Sequence, residues 1–158
     1  MERLGHSQHD FYFEDLPSGR GCGEQWVRAR YANAVAAYRS RSSRAQTVLI
    51  VAIDANGGDV ERRIRQLQQA LAEVALSPRG DDEKIVHLIP RKNIETWILC
   101  LNGRTVNEDD DYTRERDIDQ QFQRAATTLF DWSRPNAVPA LNCVPSLLAA
   151  IPELRRLG

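Results

Sequence analysis

Apolar residues fall into two nearly unbroken runs, TVLIVAI at 47–53 and KIVHLIP at 84–90, and elsewhere recur at helical spacing. The first run is β-branched and continuous, which predicts a central strand covered on both faces. The second predicts another strand, ended by Pro90, and FYFE at 11–14 predicts a further short one. Helical spacing predicts a helix over 24–41, with Val27, Tyr31, Ala34, Val35 and Tyr38 apolar. A second helix is predicted over 59–76, where Val60, Ile64, Leu67, Leu71 and Val74 form one stripe behind an Asp59 N-cap. Asn93 caps a third, with Ile94, Trp97, Ile98 and Leu101 apolar. Two more are predicted near 117–131 and 145–156, the last entered at Pro145. Strands alternating with helices predict an α/β fold with a largely parallel sheet. In such sheets the site lies at the carboxyl ends of the strands. That rule points to residues 54–56 and to the segment after Pro90.

Composition narrows the class. The 158 residues make one domain, with a helical extension from about 113 to 158. At 42% apolar and 27% charged the chain is globular, and a net charge of -1 excludes polyanion binding by the molecule as a whole. Local charge differs: Arg28, Arg30, Arg39, Arg41 and Arg44 lie between Gln25 and Ile53 with no acid among them. Such a stretch suits a phosphate backbone or, equally, a solvated helix face. Cys22, Cys100 and Cys143 have no CxxC spacing, which argues against a disulfide framework and a structural zinc site. His6 and His9 lack partners to complete a ligand set. Without a long apolar run or an apolar leader, the expected home is a reducing cytoplasm, away from membranes.

Candidate chemistry gathers at the strand ends. Asp54 and Asn56 share a side if the first strand extends that far. Two oxygen donors there suit Mg²⁺, which keeps several waters and takes one or two carboxylates. The same residues also serve as a turn and helix cap, with Gly57 and Gly58 easing the turn. Glu95 follows the later strand, where a carboxylate also suits the first turn of a helix. Arg91 and Lys92 precede it and could hold phosphate oxygens or stand solvated. GRGCGEQ, at 19–25, lacks the Lys-Ser/Thr of a P-loop and predicts a tight turn. The acidic run from Glu108 to Asp111 lacks calcium-loop spacing and predicts a solvated loop.

With these residues in view, the stretches PSGRGCGEQWVRARY, VLIVAIDANGG and IPRKNIETWILCLNG, with VNEDDDY behind, resemble a Toprim-like (topoisomerase–primase) domain. The likeness is to the small standalone kind related to overcoming-lysogenisation-defect nucleases, over roughly residues 17 to 112. It implies a sheet of about four mostly parallel strands between helices, a Mg²⁺ or Mn²⁺ site, and cleavage of DNA or RNA. By that resemblance Asp54, Asn56 and Glu95 are the metal ligands; with the local charge pattern added, Asp54, Glu95 and Lys92 read as the catalytic residues and Arg91, Lys92 and Arg28 as the phosphate contacts. It further implies an ABC- or SMC-type ATPase partner and phage defence, and it admits a homo-oligomer. Two departures stand out. Asn56 replaces the second aspartate of the Asp-x-Asp motif, removing a negative charge. The expected leading strand ending in a glutamate is missing, unless Glu14 after FYF supplies it. The chain therefore reads either as a nuclease or as a degenerate module that binds and regulates a partner.

Overall fold

A computed structural model describes Tyr12, Glu14 and residues 23–157. The elements are α1 (Gly23–Ser42), β1 (Leu49–Ala52), α2 (Val60–Ala72), β2 (Ile85–Leu88), α3 (Ile94–Leu101), α4 (Ile118–Ser133) and α5 (Pro145–Arg155). The fold is mixed α/β, and its sheet pairs β1 with β2 in parallel. Among the described residues the sheet has two strands, fewer than the four expected. The strand predicted at 11–14 lies outside the described residues apart from Tyr12 and Glu14, which stand outside the sheet. His6, His9, Cys22 and most of the Gly-rich turn also lie outside them.

The sheet has a different covering on each face. Val51 and Ile53 share a face with Ile85 and Ile89, packed against Tyr31, Val35 and Tyr38 of α1 and Leu67 and Leu71 of α2. The opposite face presents Leu88 to a second core, in which Trp97, Ile98 and Leu101 of α3 meet Ala125 of α4 and Leu147 and Ala150 of α5. Cys100 and Cys143, distant in sequence, meet in this second core as free, buried thiols. Burial, and then the neighbouring Cys100, pushes the Cys143 thiol up to about 12, so it stays protonated and unreactive.

Local chemistry sets the helix ends. Asp59 caps α2 by accepting from the Glu61 N–H at 3.1 Å. α2 stops four residues short of the predicted end because Ala75 turns left-handed (φ 56°) and the Leu76 N–H reaches back to the Leu71 carbonyl at 3.0 Å. Val74, expected in the stripe, is 56% exposed as a result. α3 ends in the same manner, with Gly103 at φ 85° and the Arg104 N–H on the Leu99 carbonyl at 3.1 Å.

The outer edge of β2 is closed by an ion pair. Arg79 donates to the Ile85 carbonyl at 2.9 Å, and Glu153 of α5 accepts the His87 N–H at 2.9 Å. Arg79 and Glu153 also bond each other through both guanidinium nitrogens. Together they satisfy edge groups that would otherwise need another strand. Removing Glu153 leaves Arg79 and the His87 N–H unmatched in a half-buried setting. Glu153→Ala is therefore expected to cost about 2 kcal/mol or more in urea unfolding. Glu115→Ala, which breaks the more exposed bridge to Arg104, should leave the transition close to unchanged.

His87 is 5% exposed, edge-on to Tyr31, with Nε2 3.0 Å from the Tyr31 hydroxyl. Burial, with Arg79 and Arg156 nearby and Glu153 opposing them, lowers its pKa from 6.5 to about 4. The unfolded chain then takes up a proton below pH 6.5 that the folded chain refuses until about 4. Stability from this group is full above pH 6.5 and lost as the pH falls toward 4. The loss should run at up to about 1.4 kcal/mol per pH unit. Denaturation curves should show that slope in the wild type and lack it in His87→Gln.

Candidate metal and phosphate site at the strand ends

Pairing between the two strands outlasts their regular geometry. Beyond Ala52 the Ile53, Ala55 and Gly57 N–H groups donate to the carbonyls of Leu88, Pro90 and Arg91 at 3.1, 2.8 and 2.8 Å. This ladder carries Asp54 alongside Pro90, at the entry to α3. A turn then closes, with the Gly58 N–H on the Ala55 carbonyl at 3.0 Å. Asn56 and Gly57 at its centre both have positive φ, 55° and 73°. Asn-Gly is the dipeptide that best tolerates this pattern. Strand alternation thus stops before Asn56, and it does not set that side chain beside Asp54 as the sequence reading required.

The Asp54 backbone is held by Arg63 of α2. Arg63 is 4% exposed. Its Nε donates to the Asp54 carbonyl at 3.0 Å, and its Nη1 reaches Glu24 of α1 and Gln66 at 2.7 Å. A buried guanidinium needs such a set of acceptors. Arg28, a predicted phosphate contact, instead pairs with the same Glu24 at 3.1 Å. The arginines hold the Glu24 carboxyl below its usual range, chiefly through the Arg63 hydrogen bond.

Glu95 comes from the first turn of α3, where Asn93 caps the helix by accepting from the Thr96 N–H and hydroxyl at 3.3 and 2.9 Å. Its charge is felt at Asp54, whose pKa is raised first by partial loss of water, then by Glu95, with Arg63 opposing both. Asp54 and Glu95 thus lie at the same end of the sheet, one after each strand. Among the described residues neither carboxylate takes part in a salt bridge, and no group of three or more His, Cys, Asp or Glu is placed to hold a metal.

Arg91 and Lys92 face the acidic loop after α3. Arg91 Nη2 lies 2.8 Å from an Asp109 carboxylate oxygen, and Lys92 Nζ donates to the Asp109 carbonyl at 2.9 Å. The acidic run forms the expected exposed loop at Asp109, Asp110 and Asp111, and Glu108 departs from it. Glu108 is 7% exposed and accepts the Ser146 N–H at 2.9 Å, at the start of α5. Ser146 in turn accepts from Trp97 Nε1 at 2.7 Å. Asp111 accepts from Asn93 Nδ2 at 3.2 Å and from the Thr113 N–H and hydroxyl at 3.0 and 2.8 Å. The N-terminus of α5 needed an acceptor and Val144, its N-cap, has none in its side chain, so a distant acid supplies it.

Comparison with family models, with curated proteins and with solved structures finds no match for this chain. No helix among the described residues is long and apolar enough to cross a membrane.

The raised pKa of Asp54 fixes the sign of a stability effect. Its ionised form is less favourable in the folded chain than in the unfolded one. Asp54→Asn is therefore expected to raise stability at pH 7, by under about 1 kcal/mol because solvent screens the pair. The gain should vanish as the pH drops below the ordinary aspartate value of 3.8, where both states bind the proton. Melting curves of the two proteins from pH 3 to 8 provide the check.

Proposed function

We propose that this chain is a Toprim-like, Mg²⁺- or Mn²⁺-dependent nuclease, or the nuclease subunit of a larger assembly, acting on phosphodiesters of DNA or RNA. Placement supports the reading: Asp54 stands on β1's extension and Glu95 in the first turn of α3, two acids at the carboxyl end of the sheet, with Glu95 raising the Asp54 pKa after burial does. Two acids that repel each other gain from a cation between them. The donor set fits such an ion in kind, since Mg²⁺ takes hard oxygen ligands and needs only one or two from protein. Asp54 and Glu95 would hold it, with Asn56 contributing only if its side chain turns back from the Asn-Gly turn. When bound, the ion supplies charge neutralisation and an acidified water.

The chain's own residues divide the remaining work. Arg63 holds the Asp54 backbone in place. Asn93, by capping α3, sets where Glu95 begins. Arg91 and Lys92 offer positive charge for phosphate oxygens on the side toward Asp109. The four-stranded sheet, the ATPase partner and a role in phage defence belong to the same proposal, and the resemblance in the sequence supports them. The alternative, a degenerate module that regulates a partner, becomes the better reading if no cleavage occurs and the chain co-purifies with another protein.

The direct test measures cleavage of labelled DNA and RNA with Mg²⁺ or Mn²⁺. Asp54→Ala and Glu95→Ala should each reduce the rate by about 100-fold or more. Equal activity in all three proteins would remove both residues from the site.

A further inference from the structure

Two of the three cations assigned to phosphate, Arg91 and Lys92, converge on a single residue, Asp109. Arg91 meets its carboxylate at 2.8 Å and Lys92 its carbonyl at 2.9 Å. Asp109 has fixed points on either side. Glu108 before it is buried at the start of α5, and Asp111 after it is bonded to Asn93 and Thr113. The Asp109 N–H itself donates to Asn107 Oδ1 at 3.1 Å, which shapes the approach. A carboxylate and a carbonyl delivered to a guanidinium and an ammonium reproduce the contacts that two phosphate oxygens would make. The Asp109 side chain is nonetheless 62% exposed, and that of Arg91 41%. The contact is thus a solvent-screened one that a ligand phosphate can displace, whereas the Glu108 anchor is buried.

We infer that the loop carrying Asp109 is a built-in competitor for nucleic-acid phosphate, a strap that occupies the cationic side of the site until a phosphodiester displaces it. This rests on the reading of Arg91 and Lys92 as phosphate contacts. Displacement needs no unfolding of the loop, because its two anchors flank the moving residue. Binding of a polyanion then carries a fixed cost, the broken Arg91–Asp109 pair, which favours ligands with several phosphates over a lone anion. Asp109 acts here through Arg91 and Lys92 and is a regulatory residue.

The experiment measures binding of fluorescein-labelled single- and double-stranded oligonucleotides by anisotropy, at low salt without divalent metal. It compares the wild type with Asp109→Asn, Asp110→Asn and Arg91→Gln/Asp109→Asn. The inference expects Asp109→Asn to bind about three- to ten-fold tighter, on the scale of an exposed ion pair. Asp110→Asn changes net charge equally and should gain less than half of that on a logarithmic scale. The double variant should lose the gain. Equal tightening by Asp109→Asn and Asp110→Asn, or a gain that survives Arg91→Gln, overturns the strap, since long-range charge then explains it. Measurable wild-type binding with no gain in Asp109→Asn overturns the strap alone and leaves the nuclease reading standing. No binding by any of the four proteins overturns both.

Discussion

Parallel pairing between β1 and β2 continues for several residues past the point where regular strand geometry ends, and the candidate site depends on that continuation. Each N–H from Ile53 to Gly57 that faces the neighbouring chain finds a carbonyl on 88–91. A shift of register by one residue would turn Asp54 toward the core and Ile53 toward solvent. That error is opposed by Ile53, 4% exposed, and Ala55, 6% exposed, on either side of it. The hydrophobic core thus positions the acid indirectly, by making the alternative register expensive. Asn93 capping then starts α3 soon after the ladder ends, which puts Glu95 at the same end of the sheet as Asp54.

Around this pairing the fold settles its charged groups by matching nearly every buried or half-buried one. Arg79 and Glu153 close the outer edge of β2. Arg39 takes Glu83 at 2.6 and 2.9 Å and the Ser77 and Pro78 carbonyls at 3.0 and 2.9 Å, tying the end of α1 to the loop before β2. Arg63 ties α2 to α1 through Glu24 and to β1 through the Asp54 carbonyl. These pairs are weak evidence for net stability, because desolvation offsets much of their attraction. Their physical consequence is placement: each fixes one end of an element relative to a strand end.

Sequence pattern revealed the elements and concealed the partnerships. The apolar runs and helical stripes located β1, β2 and the helices, because periodicity follows directly from burial. The α2 end at Ala72 was hidden, since a left-handed Ala75 carries none of the Gly or Asn signal of such closures. Glu108 was read as part of a solvated loop because charge in a sequence ordinarily means exposure, yet a partner far along the chain buries it, and Arg63, which carries no motif signal, is buried in the same way. The pairing of Cys100 with Cys143 was equally invisible, being a product of α3 packing near the start of α5. Asn-Gly at 56–57 was legible as a turn, and that turn chemistry, more than the strand pattern, decides where Asn56 goes.

The charge pattern at the strand ends makes binding of a cation and of an anion unlike events. Asp54 and Glu95 are like charges at one end of the sheet, and Glu95 raises the Asp54 pKa after burial does, so on the proposed reading a cation would favour their ionised forms. Arg91 and Lys92 are matched by Asp109, so an anion binds there only by exchange. On the proposed reading a metal would settle with no rearrangement of the acidic loop, while a phosphodiester would have to displace Asp109. The asymmetry follows from exposure: Glu95 follows a helix cap and Asp54 is held by a ladder and Arg63, whereas the Asp109 side chain, between the fixed Glu108 and Asp111, meets Arg91 in a largely exposed pair. Acids held by a ladder and a helix cap, beside cations in a solvent-screened pair, are the contrast on which the proposed order of metal before phosphate rests.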